Sequence, residues 1–356
     1  MKILVVGATY MDNFGDMLFA KLIMEKLNGK SENRFYLMSD FCRDFVGSEN
    51  LSEFNIKDAD ALLYMPGGYL GDRSDTSLYT TYLWFKRYFP IGLYYLTKRK
   101  PLMILAVDAG PCKYFFMRKI IKQICKGAVR VVVRNEDSKD FLVNKIGISS
   151  EAVVVTSDYA QTLINYPLPP EPELECRKPD KKRIMLHINE CEDARKKIIP
   201  ALEKFYVAHP GEYTIVVASD QHYKSEGKTY EEVKKFAGDD SVFYRYGDPM
   251  ELCAVIKSCE CVITYKLHVG IVAATYSRSV IPVPQHYKKV IKYYRQIGYG
   301  ERVIPLKDAT VEKVFDSLEL YADKPIVLSD EIYEKAKQND VYLDEFIEQI
   351  EKRSEL

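Results

Sequence analysis

The chain has 356 residues, 47% hydrophobic and 29% charged, with 51 basic and 51 acidic side chains and a formal net charge of zero. That length exceeds one ordinary core and suits two domains. The composition excludes a disordered chain, the net charge excludes general charge-driven nucleic-acid binding, and no run of 18 apolar residues offers a transmembrane helix.

Residues 3–6 form a continuous apolar run of the kind buried in a parallel sheet. The run starts at once, so no signal peptide is expected before it, and the expected location is the cytoplasm. The loop 7–16 follows, carrying Asn13, Gly15 and Asp16, and residues 17–27 have helical spacing. A polar loop between first strand and first helix takes the usual ligand-facing place, although Asn and Asp also build plain turns. It has neither the Gly-x-Gly-x-x-Gly spacing of a dinucleotide site nor the Gly-Lys-Ser/Thr of a P-loop.

Residues 61–65 read as a second buried strand. It runs into Gly67, Gly68 and Gly71, which either let a backbone approach a ligand or serve a plain turn. Strand-like runs at 103–107, 129–133 and 153–155 end in polar groups at 108–111, 134–138 and 156–158. Arg134 can grip a carboxylate or phosphate with two bonds, or it can pair with Glu136, Asp137 or Asp158. Between Asp75 and Glu136 the only acid is Asp108, among twelve Lys and Arg. A patch of one sign can steer a substrate, a membrane surface or a partner.

Residues 165–182 hold Pro167, Pro169, Pro170, Pro172 and Pro179, and read as the linker between domains at 1–168 and 180–356. A second α/β series follows, with strands at 184–188, 214–218, 242–244, 261–264 and 280–284 and helices at 194–208, 250–257, 311–321 and 330–352. The last helix is one that can cross back to the first domain. Cys42, Cys112, Cys125, Cys176, Cys191, Cys253, Cys259 and Cys261 show no Cys-x-x-Cys spacing and read as reduced. The five His and the carboxylates never fall into the spacing of a metal site. His187 either lines a cleft or packs, His209 reads as surface, and His222 suits either role.

The most telling stretch is Lys266, Leu267 and His268, where the strand at 261–264 gives way to small residues with helical spacing. Ligands of α/β sheets sit at such junctions. A helix amino terminus adds partial positive charge there, Lys266 a full one, and His268 a group that titrates near neutral pH. The plainer alternative is a solvated Lys and a packed His.

Six segments in order make the chain resemble the polysaccharide pyruvyl transferase family. They are Asn13 to Asp16 (Asn-x-Gly-Asp), Gly67-Gly68, Gly110-Pro111, Val133 to Ser138 (Val-Arg-x-x-x-Ser), Asp158 to Ala160, and Lys266-Leu267-His268 with Tyr287 and Lys288 beyond. The match spans roughly residues 1–300. Lys266 stands where the family has Arg, Tyr69 where Gly is frequent, and Tyr159 where Pro is usual. Lys keeps the charge but loses the two-pronged grip.

The resemblance implies two Rossmann-like α/β domains facing across a cleft, a GT-B-like arrangement. It also implies transfer of the enolpyruvyl carbons of phosphoenolpyruvate onto two hydroxyls of a sugar, free or lipid-linked, with no cofactor, no metal and no nucleic acid. Within it Arg134, Lys266 and His268 are the expected catalytic group, with His268 as general acid. Asn13, Gly15, Asp16, Gly67, Gly68, Asp158, Leu267 and Lys288 are the expected substrate contacts. The rival readings are a nucleotide-sugar glycosyltransferase and a catalytically weakened binding protein of the same fold. Residues 78–122 interleave rings with cations, which suits either a helix layer over the first sheet or peripheral contact with an anionic membrane.

Overall fold

The computed structural model describes residues 1–71, 77–174, 181–220 and 227–354, so His222, Cys176 and Pro179 lie outside the described residues. The chain divides into two compact units. Met1–Asp12, Asp16–Thr162 and Asp330–Leu356 form the first, and Asn13–Gly15 with Leu163–Ser329 the second.

In the first unit the strands are β1 (Lys2–Val6), β2 (Glu32–Phe35), β3 (Ala61–Tyr64), β4 (Gly67–Leu70), β5 (Leu102–Ala109), β6 (Arg130–Val133) and β7 (Val153–Val155). They pair in the order β2-β1-β3-β5-β6-β7, with β4 added beside β5. In the second unit β8 (Lys182–His187), β9 (Tyr213–Ala218), β10 (Ser241–Tyr244), β11 (Cys261–Thr264) and β12 (Ser279–Pro282) pair in the order β10-β9-β8-β11-β12. All pairings are parallel. The continuous apolar runs explain this, since all eight residues of β5 and all four of β11 are buried, as strands covered on both faces must be.

The helices of the first unit are α1 (Phe14–Leu27), α2 (Asp40–Val46), α3 (Leu78–Thr97), α4 (Phe115–Gly127) and α5 (Glu136–Asp140), the last continuing as a wider turn over Phe141–Ile146. Those of the second are α6 (Glu192–Ala208), α7 (Gly227–Ala237), α8 (Pro249–Lys257), α9 (Leu267–Thr275), α10 (Tyr287–Gln296) and α11 (Val311–Tyr321). Helix α12 (Asp330–Ser354) groups with the first unit. Its Asn339, fully buried, accepts from Thr156 Oγ1 at 2.7 Å and donates to the Ser157 carbonyl at 3.1 Å. Lys26, Lys30 and Arg130 pair with Asp344 and Glu345 on its outer side.

Residues 67–70, where the sequence suggests a Gly-rich turn, form a strand instead. Gly67 and Leu70 pair with Val107 and Ala109 of β5. The Tyr69 ring is buried and stacks on Tyr88 at 4.8 Å. A Cβ on Gly67 would lie 2.7 Å from that ring, so Gly serves packing here.

Candidate active site

The order β10-β9-β8-β11-β12 reverses direction between β8 and β11. Ligands of open α/β sheets bind beyond the carboxyl ends of the strands at such a point. β8 ends in His187 and β11 in Thr264, and polar side chains converge there. Lys266 Nζ lies 2.7 Å from Asp220 Oδ2. Asn189 Nδ2 donates to Asp220 Oδ1 at 2.6 Å and to Tyr265 Oη at 2.9 Å, while Asn189 Oδ1 accepts from Ser219 Oγ and the Asp220 amide. His187 Nδ1 lies 3.2 Å from Thr264 Oγ1 and Nε2 lies 3.7 Å from Asp220 Oδ1.

Burial sets the charges. His187 is fully buried, and that burial, with Lys266 adding to it against the pull of Asp220, lowers its pKa to about 4. The imidazole is therefore neutral at pH 7. Burial alone would raise the pKa of Asp220, but the charges of His187 and Lys266 and the hydrogen bonds from Lys266 and Asn189 hold it below the usual range. With His187 neutral, Lys266 is the partner that keeps Asp220 ionised at neutral pH.

Lys266 is the residue before α9, and its amide donates to Thr264 Oγ1 at 3.1 Å, which fixes the turn out of β11. The Lys266 side chain makes no capping bond to α9, being turned to Asp220 instead. Leu267 and His268, both half-buried, occupy its first turn, and Val269 to Thr275 are buried. Gly270 is needed because a Cβ there would lie 2.3 Å from Tyr294 Oη. Asn13–Gly15, grouped with this unit, approach the same turn, since a Cβ on Gly15 would fall 1.8 Å from His268 Nδ1. Lys288 is exposed in the first turn of α10.

Arg134 is held by two carboxylates. Its guanidinium is 6% exposed and bonds Asp158 Oδ2 at 2.8 Å and Asp108 Oδ2 at 3.2 Å. Asp108 also receives Ser138 Oγ and Asn135 Nδ2, and Asp158 receives the Ala160 amide. Burial works against the Arg134 charge, and the two carboxylates outweigh it, so its pKa rises. A guanidinium shared between two buried carboxylates ties the ends of β5, β6 and β7 together. Asp158 belongs to the same buried cluster.

Of the other expected contacts, Asp16 is half-buried and close enough to raise the pKa of Tyr69 and Tyr88, adding to their burial. Gly67 is buried and Gly68 exposed. Sequence reasoning missed Asp220, Asn189 and Thr264. Each is a polar residue at the end of a buried apolar run, and that position is the signal that was available. No group of three or more His, Cys, Asp or Glu among the described residues could hold a metal ion.

Against known proteins, the sequence model of the family described as polysaccharide pyruvyl transferase matches residues 13–287. The chain belongs to the polysaccharide pyruvyl transferase family. No curated protein matches it in sequence. Among solved structures, the putative UDP-N-acetylglucosamine 2-epimerase of Listeria monocytogenes is similar at a TM-score of 0.66 and 13% identity, over 98% of this chain and 97% of that one. The UDP-GlcNAc 2-epimerase of Neisseria meningitidis, bound to UDP-GlcNAc, is similar at 0.60 and 13%, over 97% and 100%. The glycotransferase of kitacinnamycin is similar at 0.55 and 10%, over 99% and 98%. At such identities these likenesses show the fold. It is the expected GT-B-like class, α/β with parallel sheets in two domains.

The family match includes Asn13 to Asp16 and Lys266 to His268, and ends at Tyr287, just short of Lys288. Tyr69, one departure from the family pattern, fills a core position under Tyr88. Tyr159, another, is buried and donates to Asp340 Oδ1 of α12 at 2.7 Å.

Proposed function

We propose that this pyruvyl transferase family member moves the pyruvyl group of phosphoenolpyruvate onto two hydroxyls of a sugar in a surface polysaccharide or its lipid-linked precursor. The observation that carries the reading is the start of α9, where a tethered cation, a helix amino end and a His share one turn. Backbone N–H groups there and the Lys266 donors not used by Asp220 suit the phosphate or carboxylate of the donor. His268, two residues on, is the proposed general acid. Asn13, Gly15, Asp16, Gly67, Gly68, Leu267 and Lys288 are the proposed substrate contacts.

The chemistry balances with these groups. One sugar hydroxyl adds to the central carbon of the donor while the methylene carbon takes a proton from His268 and becomes a methyl. The carbon–phosphate ester bond then breaks, phosphate leaves, and the second hydroxyl closes the ketal. Of the two hydroxyl protons released, one restores His268 and the other departs with phosphate.

The test is incubation with phosphoenolpyruvate and a panel of sugar acceptors, measuring phosphate release. Release that depends on an acceptor is expected, and no release with any acceptor would count against the reading. The second reading is a nucleotide-sugar enzyme, favoured by the likeness to a structure bound to UDP-GlcNAc. Thermal shift separates the two. Phosphoenolpyruvate raises the melting temperature under the first reading and a UDP-sugar under the second.

A further inference from the structure

Helices α3 and α4 follow the adjacent parallel strands β4 and β5, so both begin at the carboxyl edge of the first sheet. Their inner faces are core, with Tyr88, Phe89 and Tyr95 of α3 and Met117, Ile121 and Ile124 of α4 buried. The first turns are different. Leu78 is 57% exposed, Tyr79 70%, Tyr82 47%, Phe115 65% and Phe116 36%. Those four rings are the only exposed Phe, Tyr or Trp side chains among the described residues. Packing does not require them there, and clustered exposed rings mark an interaction surface.

The charge around them has one sign. Lys86 and Arg87 on α3 are exposed, as are Lys113 and Lys119 around the start of α4. Lys119 Nζ lies 4.7 Å from the Phe115 ring centre and Lys86 Nζ 5.7 Å from that of Tyr82. From residue 77 to 135 the sole acid is Asp108, buried on Arg134. Neither helix has an acid in its first turn, a feature shared with α7, α9 and α10. Ser77 Oγ caps α3 by accepting from the Thr80 amide, and no carboxylate in either first turn offsets the surrounding cations.

We propose that the first turns of α3 and α4 form a docking surface for an anionic lipid bilayer. Tyr79, Tyr82, Phe115, Phe116 and Leu78 enter the headgroup layer, and Lys86, Arg87, Lys113 and Lys119 meet lipid phosphates. Leu78 and two Phe rings offer no hydrogen bond to a base or a peptide, which favours a bilayer over a soluble polyanion. Lys98, Arg99 and Lys100 are excluded. They lie at the far end of α3, about 30 Å away for a 20-residue helix, and Lys100 Nζ is bonded to the Lys57 and Ala59 carbonyls. Docking by this edge brings the loop after β1 towards the membrane, where lipid-linked sugars reside. The proposal does not depend on the identity of the donor.

The test is flotation of the full chain with vesicles of phosphatidylcholine, alone or mixed with phosphatidylglycerol, at low and high salt. Two exposed-site variants accompany it, Tyr79→Ser/Phe115→Ser and Lys86→Glu/Lys119→Glu, with melting temperatures recorded to confirm folding. Wild-type chain is expected to float with the anionic vesicles and to be weakened by salt. Each variant should lose roughly tenfold or more in partitioning. Absence of flotation, or flotation undiminished in both variants, overturns the proposal. Loss in the charge variant alone, with heparin competing fully, also overturns it and assigns the patch to soluble polyanions.

Discussion

The ammonium of Lys266 lies 2.7 Å from a carboxylate oxygen of Asp220, a side chain that is itself 1% exposed. Lys266 is 31% exposed, so the pair has one end in the protein and one in solvent. The buried carboxylate fixes where the cation sits, and donors not used by Asp220 remain for an anion. The tether offsets part of what Lys loses against Arg, because a flexible stem held at its tip gives up less order on binding.

Asp220→Ala removes the acceptor of Lys266 and Asn189 and leaves buried donors unpaired. An unfolding free energy lower by about 2 kcal/mol is expected, discounted for the exposure of Lys266. Adding Lys266→Met to that background should recover part of the loss. Denaturant titration of the four proteins measures the coupling, and strictly additive effects would mean the pair is not coupled.

His187 gives a pH signature. Its pKa falls from 6.5 unfolded to about 4 folded. Below pH 6.5 the unfolded chain takes up a proton that the folded chain refuses, so stability present above pH 6.5 is lost as pH falls towards 4, by roughly 3 kcal/mol in all. The stability difference between wild type and His187→Gln should shrink in wild type's disfavour across that window. Parallel curves of melting temperature against pH would refute the assignment.

Arg134→Ala is expected to act on stability first. It strands Asp108 and Asp158 in the core, which costs about 3–5 kcal/mol. Arg134→Lys, which keeps one charge, should fold better and bind phosphoenolpyruvate nearly as wild type does. Calorimetry showing a large affinity loss in well-folded Arg134→Lys would restore Arg134 to the substrate.

For His268, replacement by Gln should lower turnover roughly 10²-fold or more with donor affinity largely kept. Phosphate release at saturating donor is the measurement, and near-normal turnover would remove the general-acid role.

Gly270→Ala should destabilise by about 1–3 kcal/mol, because its Cβ meets Tyr294 Oη. That hydroxyl is buried without a hydrogen-bond partner, so Tyr294→Phe alone should be neutral or stabilising. The double variant should regain most of the loss in chemical denaturation. A double variant as unstable as Gly270→Ala would locate the clash elsewhere.

Apolar runs such as those in β1, β5 and β11 made the two parallel sheets legible, because burial on both faces leaves no alternation to confuse. β2 was not, since an edge strand reading Glu-Asn-Arg-Phe carries no apolar run. β4 was hidden by its glycines. Lys266 and His268 were legible from their place at a strand end and from the family motif. Asp220 was not, because what joins it to Lys266 is the adjacency of β8 with both β9 and β11, a fact of topology rather than spacing. The carboxylate partners of Arg134 were not legible for the same reason. Its carboxylate partners, 26 and 24 residues away in sequence, become neighbours only when β5, β6 and β7 pair (134 − 108 and 158 − 134).

Asn339 of α12 seals the end of β7 by bonding Thr156 and Ser157, 183 and 182 residues earlier. On the ribosome this inverts the order of completion. The first unit is translated first yet waits for its closing helix until the whole second unit has emerged. At ordinary synthesis rates that wait is on the order of ten to forty seconds. The second unit, an insertion with continuous sequence from Leu163 to Ser329 apart from its three-residue visitor, has everything else it needs before then. Released chains truncated after Ser329 should therefore carry a protease-resistant second unit beside a first unit still open to cleavage near β7.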